Sequence, residues 1–198
     1  MKIILASKSP RRSELMGLIC NDITIEEAAV DERRIENEYT GSPEGLSEVL
    51  AIAKAKDVFE RAKTRYNNED FVVIGADTSV IAGDEILGKP TDKEDARRML
   101  TILSGITHKV VTGVAIAGSK GTTSFSETSL VQFNDKDAIQ LQTIEEYIDT
   151  KDPYDKAGAY GIQSGGSLLV KEIKGDYFNI VGLPVNRLAR ELRSSGYL

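Results

Sequence analysis

The sequence predicts an α/β protein with a mixed β-sheet, and three observations carry that reading. Short apolar runs alternate with segments whose apolar residues recur at helical spacing, beginning with "KIILA" and "SPRRSELMGLI". A hairpin pattern, "HKVVTGVAIAGSKGTTSFSETSLVQF", interrupts the alternation with Gly-Ser-Lys-Gly as its turn, so the sheet is not purely parallel. No internal repeat, low-complexity tract or linker divides the 198 residues, which suffice for one large core or two closely joined lobes.

Each element follows in order. "KIILA" is a strand. Ser9 then caps a helix with Pro10 at its first position, and Leu15, Leu18 and Ile19 lie on one side. "NDITIEEAAVDERRIENEY" reads as a strand followed by an exposed loop. Ser42-Pro43 open a helix over "SPEGLSEVLAIAKAKDVFERAKTRY", with Leu46, Val49, Leu50 and Ala53 as its apolar arc. "FVVIGADTSVIAGDEIL" reads as a buried strand, a break at Gly-Ala-Asp-Thr, and a second strand ending at Gly83-Asp84. Thr91 and Glu94 form a capping box before "DARRMLTILSG", and Gly105 ends that helix. After the hairpin, Thr143 and Glu146 open another short helix, and "DPYDKAGAYGIQSGGS" is a glycine-rich loop. "LLVKEI" and "YFNIVG" read as two strands joined at Lys174-Gly175-Asp176, and Pro184 starts the final helix.

The composition, 40% hydrophobic and 28% charged, is that of an ordinary globular protein. A net charge of −6 disfavours nucleic-acid polymers and anionic lipid as partners, so any affinity for phosphate must be local. The single Cys20 excludes an intrachain disulfide, and with His108 it makes no zinc set. Following Leu18-Ile19, it reads as a core filler. There is no membrane-length apolar run and no signal-peptide layout, so the expected location is cytoplasmic.

Four clusters carry candidate chemistry. The first is Ser7, Ser9, Arg11 and Arg12 at a helix start, where the dipole disfavours cations unless an anion arrives. Either a phosphate sits there or both arginines point into solvent. In the second, Asp77-Thr78, the carboxylate after a buried strand holds a divalent metal, deprotonates a water, or merely bonds its own turn. The third is Lys54, at the rim of a helical apolar arc, with Lys89 in "LGKP"; these are phosphate contacts or plain surface lysines. The fourth is "DKAGAYGIQSGG", whose Gln163 offers donor and acceptor to a base edge, against the reading of a flexible loop. Tyr160 and Ile162 speak against disorder there. His108 lacks a serine or cysteine partner at a telling spacing and reads as structural, or as a contact at the edge of the site. Asp31-Glu32-Arg33-Arg34 is a charge run that either stays solvated or lends a carboxylate to a metal.

The ordered set "ILASKSPRRSEL", "VDE", "AIAKAK", "GADTSV", "LGKP", "MLTILSGITHKVVTGVA", "DPYDKAGAYGIQSGG" and "FNIVGLPV" resembles the Maf family of nucleoside-triphosphate pyrophosphatases. The resemblance runs nearly end to end. It implies an elongated mixed α/β structure, a single domain of two lobes around a central cleft, commonly a homodimer. The implied reaction is hydrolysis between the α- and β-phosphates with a divalent cation, Mg²⁺ or Mn²⁺. By position, Asp77 is the implied catalytic carboxylate, and Arg11, Thr78 and Gln163 are the implied specificity residues, as in the branch acting on dTTP and UTP. Arg12, Lys54 and Lys89, with Ser9, match phosphate-contacting positions, and Asp31 or Glu32 the additional acidic one beside Asp77 at the metal. The 7-methyl-GTP branch has a tryptophan after Ser-Pro, and this chain has none. Ser164 departs from the more usual Gly-Ile-Gln-Gly. Two other readings stay open: a nucleotide-binding regulator of cell division without catalysis, and a pyrophosphatase for purine or modified nucleotides.

Overall fold

The computed structural model describes residues 1–67 and 69–198. The strands are β1 (Lys2–Leu5), β2 (Ile23–Ile25), β3 (Phe71–Ala82), β4 (Glu85–Leu87), β5 (Thr107–Gly118), β6 (Gly121–Phe133) and β7 (Val170–Lys174). The helices are α1 (Pro10–Gly17), α2 (Glu32–Glu38), α3 (Leu46–Arg65), α4 (Lys93–Leu103), α5 (Ala138–Ile148), α6 (Tyr177–Val181) and α7 (Val185–Ser194). The sheet order is β2-β1-β3-β5-β6-β7, with β4 also paired to β3. β1 runs parallel to β2 and β3, whereas the β3–β4 and β6–β7 pairs are antiparallel. The mixed α/β class expected from the sequence is therefore the fold observed.

The chain forms two compact units. The first comprises Met1–Asp77, Thr112–Glu127 and Gly182–Leu198; the second comprises Thr78–Val111 and Thr128–Val181. In the first unit, Ile4, Ala6, Val73, Ala115 and Ala117 pack with Ala51, Ala55, Val58 and Ala62 of α3. The small α3 residues let the helix backbone press on the sheet at Gly75. A β-carbon there would lie 2.2 Å from the Ala51 carbonyl oxygen and 2.8 Å from the Ala55 nitrogen. The second unit has its own core of Leu87, Met99, Leu100, Leu103, Val131, Phe133, Ile144, Tyr147 and Tyr160.

Several local expectations are corrected. "GADTSV" is no break: β3 runs unbroken through it, and only burial lapses at Asp77 and Thr78, both half-buried between buried Ala76 and Ser79. Residues 32–38, read as loop, form α2, capped by Asp31, whose Oδ1 accepts from the Arg34 amide at 3.1 Å. No α2 residue is buried, so hydrophobic periodicity was silent and the cap was the usable signal. α3 begins at Leu46, with Pro43–Gly45 forming a 3₁₀ turn before it. The α4 cap is Asp92 rather than Thr91; the reciprocal acid is Asp95, which accepts from the Thr91 amide at 3.1 Å. Gly105, at φ +76, ends that helix as expected.

α5 starts behind Asp137, and Thr143 lies inside it, bonded back to the Ile139 carbonyl. "YFNIVG" is the short helix α6: Asp176 accepts from the Phe178 amide at 2.8 Å, a local turn bond that competes with a strand ladder. In α1, Leu15 and Met16 are buried but Leu18 is 65% exposed. Cys20 is half-buried, with its Sγ against the Asp22 carbonyl, and is no core filler.

Candidate active site

The tight approach of α3 to β3 positions the central pair. Asp77 follows Gly75 by two residues and shares its face of the strand, while Lys54 directly precedes Ala55. The Lys54 ammonium donates to Asp77 Oδ1 at 2.6 Å and lies 3.1 Å from Glu32 Oε1. The Lys54 side chain is 9% exposed, Asp77 15% and Glu32 47%. A lysine so nearly desolvated, set between two carboxylates, is part of a built cluster rather than a surface charge.

Glu36, one helical turn beyond Glu32 on α2, faces the same cluster. Burial, reinforced by the charges of Asp77 and Glu32, pushes its carboxyl above the usual carboxylate range, against the opposing pull of Lys54 and Arg33. Sequence reading missed Glu36 because it took α2 for a loop; the i, i+4 spacing of Glu32 and Glu36 was the available signal. Asp31, by contrast, spends one carboxylate oxygen on capping α2.

The serine-arginine cluster lies in the same unit. Ser9 caps α1 by accepting from the Arg12 amide, and no acid occupies the first turn to offset Arg11 and Arg12. Ser7 is 8% exposed; its Oγ accepts from the Ser9 amide at 3.2 Å and from Arg12 Nη1 at 3.4 Å. Arg12 also donates through Nε to the Gly182 carbonyl at 2.9 Å. Burial lowers the Arg12 pKa, while Asp77 and Glu32 oppose that shift and Arg11 adds to it. Arg12 is thus an anchored, half-buried cation within the electrostatic reach of Asp77. Arg11 is also half-buried.

The other candidates belong to the second unit. Thr78, next to Asp77 in the chain, is half-buried on β3. Lys89 and Gln163 are exposed, and Pro90 is buried behind Lys89. The Gly158 amide donates to the Gly88 carbonyl at 3.0 Å, tying the Lys89 loop to the "KAGAY" turn. The glycine-rich segment is ordered as a series of 3₁₀ turns with Tyr160 only 5% exposed. His108 is structural: it is 1% exposed, its Nε2 shares a 2.8 Å hydrogen bond with the Tyr160 hydroxyl, and Phe133 packs edge-on against its ring.

Among the described residues, no group of three or more His, Cys, Asp or Glu side chains forms a ready metal cage. The donor chemistry of Asp77 and Glu32 nevertheless fits a hard divalent cation that takes one or two carboxylates and completes its shell with water and phosphate oxygens. No helix among the described residues is long and apolar enough to cross a membrane.

Comparison with known proteins adds relatives that match along almost the whole chain. The "dTTP/UTP pyrophosphatase" of Acetivibrio thermocellus is 45% identical over 197 residues, covering 99% of this chain and 96% of that protein. Proteins of the same name from Bacillus cereus and Bacillus anthracis are each 45% identical over 192 residues, covering 97% of this chain and 94% of theirs. The family described as Maf-like protein matches residues 2–195. With that match spanning nearly every residue and relatives 45% identical along almost the whole chain, the chain belongs to the Maf family.

Proposed function

We propose that this protein is a nucleoside-triphosphate pyrophosphatase acting on dTTP and UTP, releasing the nucleoside monophosphate and pyrophosphate. The observation that carries the reading is the buried Lys54 ammonium held between Asp77 and Glu32, in the unit that also presents Arg11 and Arg12 on α1. The name shared by relatives 45% identical along almost the whole chain supports the same reaction and substrates.

In the proposed mechanism, the triphosphate is bound by Arg11, Arg12, Lys89 and the positive end of the α1 dipole, each of which favours anionic oxygen. Lys54 fixes Asp77 through Oδ1 and leaves Oδ2 to orient a water and take its proton. The water oxygen bonds to the α-phosphorus, the bond to the α,β-bridging oxygen breaks, and its electron pair leaves with pyrophosphate. Such a transfer needs positioning and charge stabilisation rather than a protein nucleophile. Asp77 and Glu32 are the residues that would hold Mg²⁺ or Mn²⁺, which when bound supplies charge neutralisation to the phosphates. Thr78 and Gln163 read the carbonyl and ring N–H shared by uracil and thymine. The two units serve as one functional domain, and a cytoplasmic homodimer is the working form proposed with it.

Incubation of the purified protein with a nucleotide panel and Mg²⁺ or Mn²⁺ tests the reading. UMP and TMP appearing with equimolar pyrophosphate support it. Preferential turnover of purine triphosphates, or binding without product, contradicts it.

A further inference from the structure

Gln163 sits at the third position of a tight turn closed by a hydrogen bond from the Ser164 amide to the Gly161 carbonyl at 3.3 Å. Both ends of that turn are fastened to one carboxylate assembly. At the near end, the Gly161 amide donates to the Tyr147 hydroxyl at 3.0 Å, and that hydroxyl in turn donates to Asp152 Oδ2. At the far end, the Ser164 hydroxyl also donates to Asp152 Oδ2. Lys156 closes the set with 2.9 Å to Asp152 Oδ1 and 2.6 Å to the Asp152 carbonyl. Tyr147 is 5% exposed and belongs to the core of its unit, so the assembly is rooted in rigid packing while Gln163 alone projects into solvent.

The electrostatics match. Burial works to raise the Asp152 carboxyl, but the hydrogen bonds from Ser164, Tyr147 and Lys156 outweigh it and hold the group below its ordinary range. Asp152 is therefore an acceptor-only carboxylate at neutral pH, with donors on both oxygens. Nothing in this arrangement engages the Gln163 side chain. Its only evident effect is to fix the backbone from which Gln163 extends.

We propose that Ser164 and Asp152 are positioning residues for nucleobase selection, clamping the 161–164 turn so that the Gln163 amide is presented in one orientation. This rests on the reading of Gln163 as a base contact. A glycine at 164 provides no hydroxyl, so the serine variant of the loop holds its base-reading residue by a bond that a glycine variant lacks. Pre-organising a contact group lowers the ordering cost of binding and leaves the chemical step alone.

The test compares UTP and GTP kinetics for wild type, Ser164→Gly, Ser164→Ala, Ser164→Thr and Asp152→Asn, with thermal unfolding of each as a fold control. Losing a hydrogen bond to a charged group is worth about tenfold in binding. Ser164→Gly and Ser164→Ala are therefore expected to raise KM for UTP by about tenfold, with kcat within about twofold, and to narrow the UTP-to-GTP preference. Ser164→Thr keeps the hydroxyl at an extended φ of −129 and is expected to retain wild-type KM. Asp152→Asn is expected to follow the glycine variant. Unchanged KM and unchanged preference in Ser164→Gly and Ser164→Ala would overturn the proposal, as would a loss confined to kcat. If the wild type itself fails to turn over UTP, it is the substrate reading that fails, and the two results are distinguishable.

Discussion

Replacing Lys54 with methionine removes the charge that separates Asp77 from Glu32 while keeping most of the side-chain volume in α3. At 2.6 Å from Asp77, the ion pair has a gross Coulomb energy of about 6 kcal/mol at an effective dielectric near 20. The cost of desolvating the ammonium offsets part of this, and Glu32, half exposed, is screened. A net loss of about 2–3 kcal/mol at pH 7 follows, because the variant leaves Asp77, Glu32 and Glu36 repelling one another. Glu36, whose carboxyl burial already holds above the usual range, takes up a proton as pH falls and relieves part of that repulsion, so the deficit should shrink toward pH 4. Adding Asp77→Asn to Lys54→Met should restore part of the loss, a non-additivity expected only of coupled groups. Turnover should drop by at least about 10²-fold, since the base is no longer held. Urea unfolding at pH 7 and pH 4, with single and double variants side by side, reads all of this. A Lys54→Met deficit of equal size at both pH values, or additive with Asp77→Asn, would refute the reasoning.

Other consequences are more local. Burial pulls the His108 imidazole down to about 4 from its ordinary 6.5, so the unfolded chain binds the proton first and stability falls as pH drops from 6.5 toward 4. The fall is on the order of 3 kcal/mol, and His108→Gln should flatten that limb in a series of unfolding curves. Glu36 behaves oppositely: its raised pKa means its charge is destabilising once ionised, so Glu36→Gln should raise the Tm at pH 7 and leave it unchanged at pH 4. Gly75→Ala should cost about 3 kcal/mol or more, since its methyl meets the α3 backbone at 2.2 Å, and should also impair turnover by displacing Lys54 from Asp77.

What the sequence made legible follows from which physical signals are local. The alternation of apolar runs, the hairpin turn before Gly121, and the caps at Ser9 and Gly105 are written in a few adjacent residues, and each led to the right element. α2 was illegible because an exposed helix carries no apolar stripe, and α6 because "YFNIVG" has β-like composition overridden by the Asp176 turn bond. The Asp77-Thr78 pair was read as part of a break between two strands, because composition cannot tell a chain break from a lapse in burial along one strand. The charged site was partly visible. Lys54 and Glu32 were candidates, but their meeting with Asp77 depends on the close α3–β3 approach at Gly75, a contact between segments distant in sequence. The carboxylate clamp under Gln163 stayed hidden for the same reason: Tyr147, Asp152 and Ser164 converge only once α5 and the 3₁₀ turns are folded.

The most direct test of the central claim is ³¹P NMR of UTP hydrolysis by the wild type and by Asp77→Asn in the presence of Mg²⁺. The account predicts a single inorganic resonance, pyrophosphate, growing in step with UMP for the wild type, and turnover reduced by at least about 10³-fold in a variant of unchanged fold. Orthophosphate and UDP as products, or an Asp77→Asn variant with wild-type turnover, would contradict it.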